Sequence, residues 1–389
     1  MKIFKLKEFQ ERISKVKNLM QEKGIDILIS QDPANMNYLT GYDACSFYMP
    51  QCVIISLDEE MPMCFLRAQD ANGALITTYL EEKNIIPYAE KYIHMWPLHP
   101  YDYLVEIFKE KKWETLNIGL EMDSHYFTAF CYEKIKQGLP KSKLKDSKRL
   151  VNWIRLIKSN AEIAFMKSAG LIVEKGMKTA IESINPGVRQ CDAVAEIQKS
   201  LYRGTENFGG EYTGLPVVLP TGKGTSSSHL TAKDNKFIEG EASIIEISGV
   251  HNRYHAPLAR TILLGKSDQK KIDAMKATNE ALDAGISAVK PGNTANDIAQ
   301  KFWSVLDKYK IKKESRTGYS IGIGYPPDWG EQTMNIAKGD NTVLKTNITF
   351  HMIAVMQFGD WGVESSESIR VTENGFELFS NFSRELFIK

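Results

Sequence analysis

The chain has 389 residues, 43% of them hydrophobic and 25% charged, with a net charge of +1. Acids and bases are interspersed, which leaves no basic footprint for nucleic acid, and no apolar run approaches the ~20 residues of a membrane span. A chain this long buries ample core and divides into two or three domains.

The first stretch, 6–23, reads as an amphipathic helix with Phe9, Ile13, Val16 and Met20 turned inward. It lacks the apolar run and small-residue cleavage site of a signal peptide. The cysteines (Cys45, Cys52, Cys64, Cys131 and Cys191) show no CxxC spacing, so reduced core thiols in a cytoplasmic protein are expected. A strand over 25–30 is followed by a Tyr-, Phe- and Met-rich loop and a second strand over 52–57. Apolar segments at 62–66, 84–89 and 117–122 then alternate with helical ones such as 99–113. This alternation predicts an α/β domain of the mixed, α+β type. The charged run Lys141 to Lys148 is the boundary signal, which gives domains over 1–152 and 153–389.

Ser159 and Glu162 carry the spacing of a capping box and open a long helix that Pro186-Gly187 ends. The second half repeats itself. Residues 178–198 and 283–303 both run helix, Pro-Gly, four residues, aspartate, helix, with Asp192 and Asp297 in matching places. A duplicated domain with a site between its halves is expected. Ile244 to Thr261, IIEISGVHNRYHAPLART, reads as strand, tight turn, strand. Glu246 enters that hairpin, and burying its carboxylate demands a partner or a function. Across the hairpin Arg260 is the structural alternative.

These motifs resemble the creatinase/prolidase/methionine-aminopeptidase superfamily of pita-bread hydrolases, with a small creatinase-like N-terminal domain ahead of the duplicated one. Metal-dependent members carry Asp, Asp, His and two late Glu ligands. Aligned by motif, those positions fall on Glu246, Pro257, Tyr319, His351 and the neighbourhood of Glu367. Proline offers no donor atom, and tyrosine is a poor replacement for imidazole. The resemblance therefore implies a branch that works without metal or other cofactor, like creatinase, in which a histidine matching His229 moves the proton. Met49 and Ala259 replace groups that would hold creatine. Long stretches, NMNYLTGYDACSFY, AQDANGA, RYHAPLART, GYSIGIGYPPDWGE and DWGVESSES, resemble the ectoine hydrolases of this superfamily.

That resemblance implies hydrolysis of a cyclic amidine, ectoine or hydroxyectoine, to N-acetyl-2,4-diaminobutyrate. The expected catalytic set is Glu246 as nucleophile or base, His229 as proton shuttle, and Glu367 on the amidinium. The expected substrate wall is Phe47, Tyr48, Tyr254, His255, Arg260, Tyr319, Trp329, His351, Trp361 and Glu364, with Glu364 competing with Glu367 for the inward position. His255 and His351 read equally as satisfied core histidines, and the large aromatics as core. The expected partner is the zwitterionic small molecule, with no nucleic acid or membrane. A homodimer is expected to bring the Phe47 loop near the neighbouring site. The alternatives are a creatinase-like hydrolase of another amidine or guanidine, an Xaa-Pro dipeptidase, and a catalytically dead binding module.

Overall fold

The computed structural model describes residues 3–266 and 269–389 and divides into two compact units, Met1–Arg155 and Leu156–Lys389. Among the described residues no helix is long and apolar enough to cross a membrane.

The first unit runs α1 (Leu6–Glu22), β1 (Ile27–Ser30), α2 (Pro33–Thr40), β2 (Cys52–Ser56), β3 (Met63–Arg67), α3 (Ala71–Thr77), β4 (Ile85–Tyr88), α4 (Pro100–Glu110), β5 (Asn117–Leu120), α5 (Ala129–Gly138), β6 (Lys143–Asp146) and α6 (Leu150–Arg155). Its six strands are ordered β4-β3-β2-β1-β5-β6. Two segments depart from the sequence reading. Residues 35–40, expected as loop, belong to helix α2, which forms because Asp32 caps the Ala34 N–H and Pro33 takes the first turn. The charged run expected as a boundary contains β6, which pairs with β5 along Asn117–Leu120. It is an edge strand, where lysines are tolerated and discourage further pairing.

The second unit runs α7 (Asn160–Ser183), α8 (Gln190–Arg203), β7 (Ala242–His251), β8 (Tyr254–Leu263), α9 (Gln269–Ile286), α10 (Ala295–Lys308), β9 (Gly318–Tyr325), β10 (Asp328–Asn335), β11 (Thr349–Phe358), β12 (Trp361–Val371), β13 (Phe376–Leu378) and β14 (Phe387–Ile388). The capping box at Ser159 and Glu162 is formed, and the Glu246 hairpin is β7–β8.

The two copies of the repeat make matching contacts. Gly187 donates to the Phe237 carbonyl and Gly292 to that of Leu344, both from positive φ, 84° and 88°. Arg189 bridges to Lys236 as Thr294 does to Val343. Both pairs keep the offset of the sequence repeat (292 − 187 = 294 − 189 = 105).

Helices cover one face of the sheet. Ile245, Ile247, Leu258 and Ile262 join the α7–α8 core, while Phe350, Met352, Ala354, Met356, Val363 and Ile369 join the α9–α10 core. The approach is close at Gly249, where a Cβ would meet the Ala169 carbonyl at 2.0 Å. Strand alternation then turns Glu246, Pro257, Ala259, Thr261, His351, Glu364, Ser366 and Ser368 to the opposite face.

Candidate active site

The site lies where the two repeats meet. β8 and β12 join through side-chain oxygens. Ser368 Oγ donates to the Pro257 carbonyl at 2.6 Å, and Ser366 Oγ accepts from the Ala259 N–H at 2.7 Å. Thr261 Oγ1 bonds both the carbonyl and the N–H of Glu364 at 2.8 Å, which fixes the backbone that carries that acid. The small hydroxyl residues in VESSES thus serve the seam.

Glu246 and Glu364 stand on this face with little exposure, 6% and 3%. Among the described residues no hydrogen bond closes on either carboxylate, and the nearest basic atom to Glu246 is His351 Nδ1 at 3.9 Å. Burial, then the charge of Glu364 and of Asp328, holds Glu246 well above the usual carboxylate range. Burial pushes Glu364 up to about 7, opposed by the Lys313 ammonium. Both shifts favour a proton on the pair near neutrality.

Two of the positions aligned with metal ligands, Tyr319 and His351, stand in a hydrogen-bonded chain. Trp329 Nε1–H donates to Tyr319 Oη at 2.8 Å, Tyr319 Oη lies 3.3 Å from His351 Nδ1, and His351 Nε2 lies 2.7 Å from Ser366 Oγ. Burial, with the charge of Arg260, pushes His351 down to about 3, so the ring is neutral. Burial and the neighbouring Glu246 raise the Tyr319 phenol. Pro257 has no donor, and Tyr319, His351 and Ser366 are committed to one another. These residues do not fit a two-metal centre. Among the described residues no group of three or more His, Cys, Asp or Glu is arranged to hold a metal.

The sequence reading needs correction at several residues. Glu367 and Arg260 lie on the helix-covered face, where Arg260 Nη2 meets Glu367 Oε1 at 2.8 Å and its other donors reach the carbonyls of Ala259, Ser366, Phe382 and Ser383. Strand parity excludes both from the site, and Arg260 is no partner of Glu246. Tyr254 faces the same core and donates to Glu162 Oε1 at 2.8 Å. Trp361 stacks on Phe358 at the β11–β12 turn, against the α9–α10 core. His255 accepts from the Gly214 N–H at Nε2 and therefore donates from Nδ1 to the Arg253 carbonyl, both at 2.9 Å. Burial, with Arg253, pushes it down to about 3, and it is a neutral structural clamp.

His229 is exposed, on a turn beside the strand edge where Leu219 N–H meets the Leu230 carbonyl and Val218 pairs with Glu246. Phe47 and Tyr48 belong to the first unit, with Phe47 edge-on to Tyr126 and Tyr48 66% exposed. The structure adds two cations to the set. Half-buried Lys313 is electrostatically close to Glu364, and burial pushes its ammonium down to about 8. Arg316 stacks 4.6 Å from the Tyr319 ring. Both lie in a loop with no motif to mark them.

A duplicated sheet with acids on its open face, preceded in the chain by a six-stranded α/β unit, defines a hydrolase of the creatinase/prolidase class. Residues 12–157 match the creatinase/prolidase N-terminal domain and residues 164–373 match metallopeptidase family M24, and the chain belongs to that family. It is 41% identical to an ectoine hydrolase of Halomonas elongata, over 99% of this chain and 98% of that protein. An uncharacterized hydrolase/peptidase of Sinorhizobium fredii is 38% identical over 98% of this chain and 97% of its own length. The fold is shared with the prolidase of Thermococcus sibiricus, with a TM-score of 0.85 and 19% identity over 98% of this chain and 99% of that one.

Proposed function

We propose that the chain opens the cyclic amidine ring of ectoine by hydrolysis, yielding N-acetyl-2,4-diaminobutyrate, without a metal. The observation that carries this reading is the pair Glu246 and Glu364, two buried neighbouring carboxylates that no hydrogen bond among the described residues satisfies. A flat, delocalised cation with N–H groups on two sides supplies what such a pair lacks. The full-length likeness to an ectoine hydrolase supports the same substrate.

In this reading the amidinium sits between the two acids and displaces their proton. Glu246 then takes a proton from water as its oxygen adds to the amidine carbon. Glu364 holds the opposite N–H, and Lys313 offers a counter-charge to the substrate's carboxylate. The reading includes a cytoplasmic homodimer in which the loop bearing Phe47 and Tyr48 approaches the partner's site, supported by the superfamily resemblance and the exposure of Tyr48.

The test is ring opening followed by proton NMR. The wild-type chain is expected to convert ectoine, and Glu246→Gln to lose at least about 10²-fold in kcat while still binding it. Turnover of an open-chain guanidine or an Xaa-Pro dipeptide in place of ectoine would overturn the assignment.

A further inference from the structure

The chain of hydrogen bonds beside Glu246 has a property that follows from counting its hydrogens. Both ends are closed by groups that only donate, Trp329 Nε1–H onto Tyr319 Oη and the Ala259 N–H onto Ser366 Oγ. Between them lie two links, Tyr319 to His351 and His351 to Ser366. A phenol, a neutral imidazole and a serine hydroxyl bring three hydrogens to those two links. One hydrogen is always left over, and the tautomer of His351 decides where. With the proton on Nε2, the imidazole donates to Ser366, Tyr319 donates to Nδ1, and the spare hydrogen is on Ser366. With the proton on Nδ1, Ser366 donates to Nε2 and the spare hydrogen is on Tyr319.

One end lies beside Glu246, whose charge acts on Tyr319, and the other end shares a sheet face with Glu364. His351 Nδ1, at the Tyr319 end, is 3.9 Å from Glu246 Oε1. Ser366 accepts from Ala259, the residue paired with Glu246 across the β7–β8 hairpin, and stands two residues along β12 from Glu364 on the same face.

We propose that Tyr319, His351 and Ser366 form a neutral proton relay, which carries the proton collected by Glu246 to the departing ring nitrogen through Ser366. The inference rests on the ring-opening reading above. Glu246 removes a proton from water as the water oxygen bonds to the amidine carbon. When the carbon–nitrogen bond breaks, its electron pair takes the Ser366 hydrogen, the hydroxyl's O–H pair closes the amide carbonyl, and the hydroxyl proton goes to the freed amine, which leaves as an ammonium. Ser366 is refilled from His351 Nε2, His351 Nδ1 from Tyr319, and Tyr319 from Glu246. Glu246 ends ionised, no member of the relay carries charge afterwards, and the chain ends in its other tautomeric arrangement. It resets by exchange with water once product leaves. Tyr319 and His351 act through Ser366 and are positioning residues; Ser366, fully buried in the unliganded chain, is the group that the proposal brings against the substrate.

The experiment measures ectoine turnover in mixtures of light and heavy water. A relay with several protons in flight gives the wild type a bowed dependence of kcat on deuterium fraction. Ser366→Ala is expected to lower kcat by about 10²-fold with KM nearly unchanged, and to give a straight dependence. Ser366→Thr, which keeps the hydroxyl, is expected to recover most of the rate and the bow. Tyr319→Phe, which leaves the Ser366 end intact, is expected to straighten the dependence as well. Thermal melts identify any variant that fails to fold, and the remaining variants then decide the outcome. A straight wild-type dependence, or a Ser366→Ala chain as fast as wild type, overturns the relay alone. A wild-type chain inert toward ectoine overturns the reading beneath it and the relay with it.

Discussion

At the scale of the residue, the acid pair is a liability that the ligand relieves. Burial raises Glu364 from 4.5 to about 7, so the folded chain keeps a proton that the unfolded chain releases above pH 4.5. The folded state therefore binds more protons in that window, and this residue's contribution falls as pH rises. Glu364→Gln removes the dependence. Urea melts are expected to show the variant about 1–3 kcal/mol more stable than wild type at pH 8, with the gap closing below pH 4.5. A gap equal at both pH values would show that Glu364 is not held protonated. The same proton opposes a cationic substrate, so KM for ectoine is expected to fall as pH rises through about 7 and to respond less in the variant.

At the scale of the element, β12 shows what a sequence hides and what it reveals. VESSES offers an acid at either parity, and motif alignment alone favours Glu367. The apolar neighbours decide otherwise: Val363 and Ile369 are core, and Glu367 shares their parity while Glu364 does not. That signal was present in the sequence. The position of Lys313 was not, because a loop after α10 carries no periodicity. Glu246 was legible because its hairpin alternates cleanly, and the α7 start because Ser159 and Glu162 form a box. His229 was read from one motif, and it stands on an exposed turn beside the strand edge that pairs with Glu246. The placement of Glu367 carries its own consequence. Glu367→Ala strands the Arg260 guanidinium in the core, and denaturant melts are expected to show a loss of about 3–5 kcal/mol. The fraction that folds should keep the wild-type KM for ectoine. A raised KM with stability unchanged would return Glu367 to the site.

At the scale of the whole molecule, duplication explains why the site is where it is. Each repeat supplies a helix pair and a hairpin, and the open face of β7–β8 meets that of β11–β12 along a seam of hydroxyls. Here the halves are joined by the opposed acids Glu246 and Glu364 and by the Ala259 N–H bond to Ser366, where the Tyr319–His351–Ser366 chain of the second repeat ends. A metal drawn into this space would have to displace the Trp329 and Ala259 hydrogen bonds that commit those side chains, and it would gain only two carboxylates. Dialysis against EDTA or 1,10-phenanthroline is accordingly expected to leave both the melting temperature and ectoine turnover unchanged. Elemental analysis of the purified chain should find well under one transition metal per chain. Added zinc or manganese, if it binds at all, should compete with ectoine, since it meets the same two acids that the amidinium needs. Turnover that vanishes on chelation and returns with metal would mean that the hydroxyl chain opens to admit an ion, and the proton relay would then have no place in the reaction.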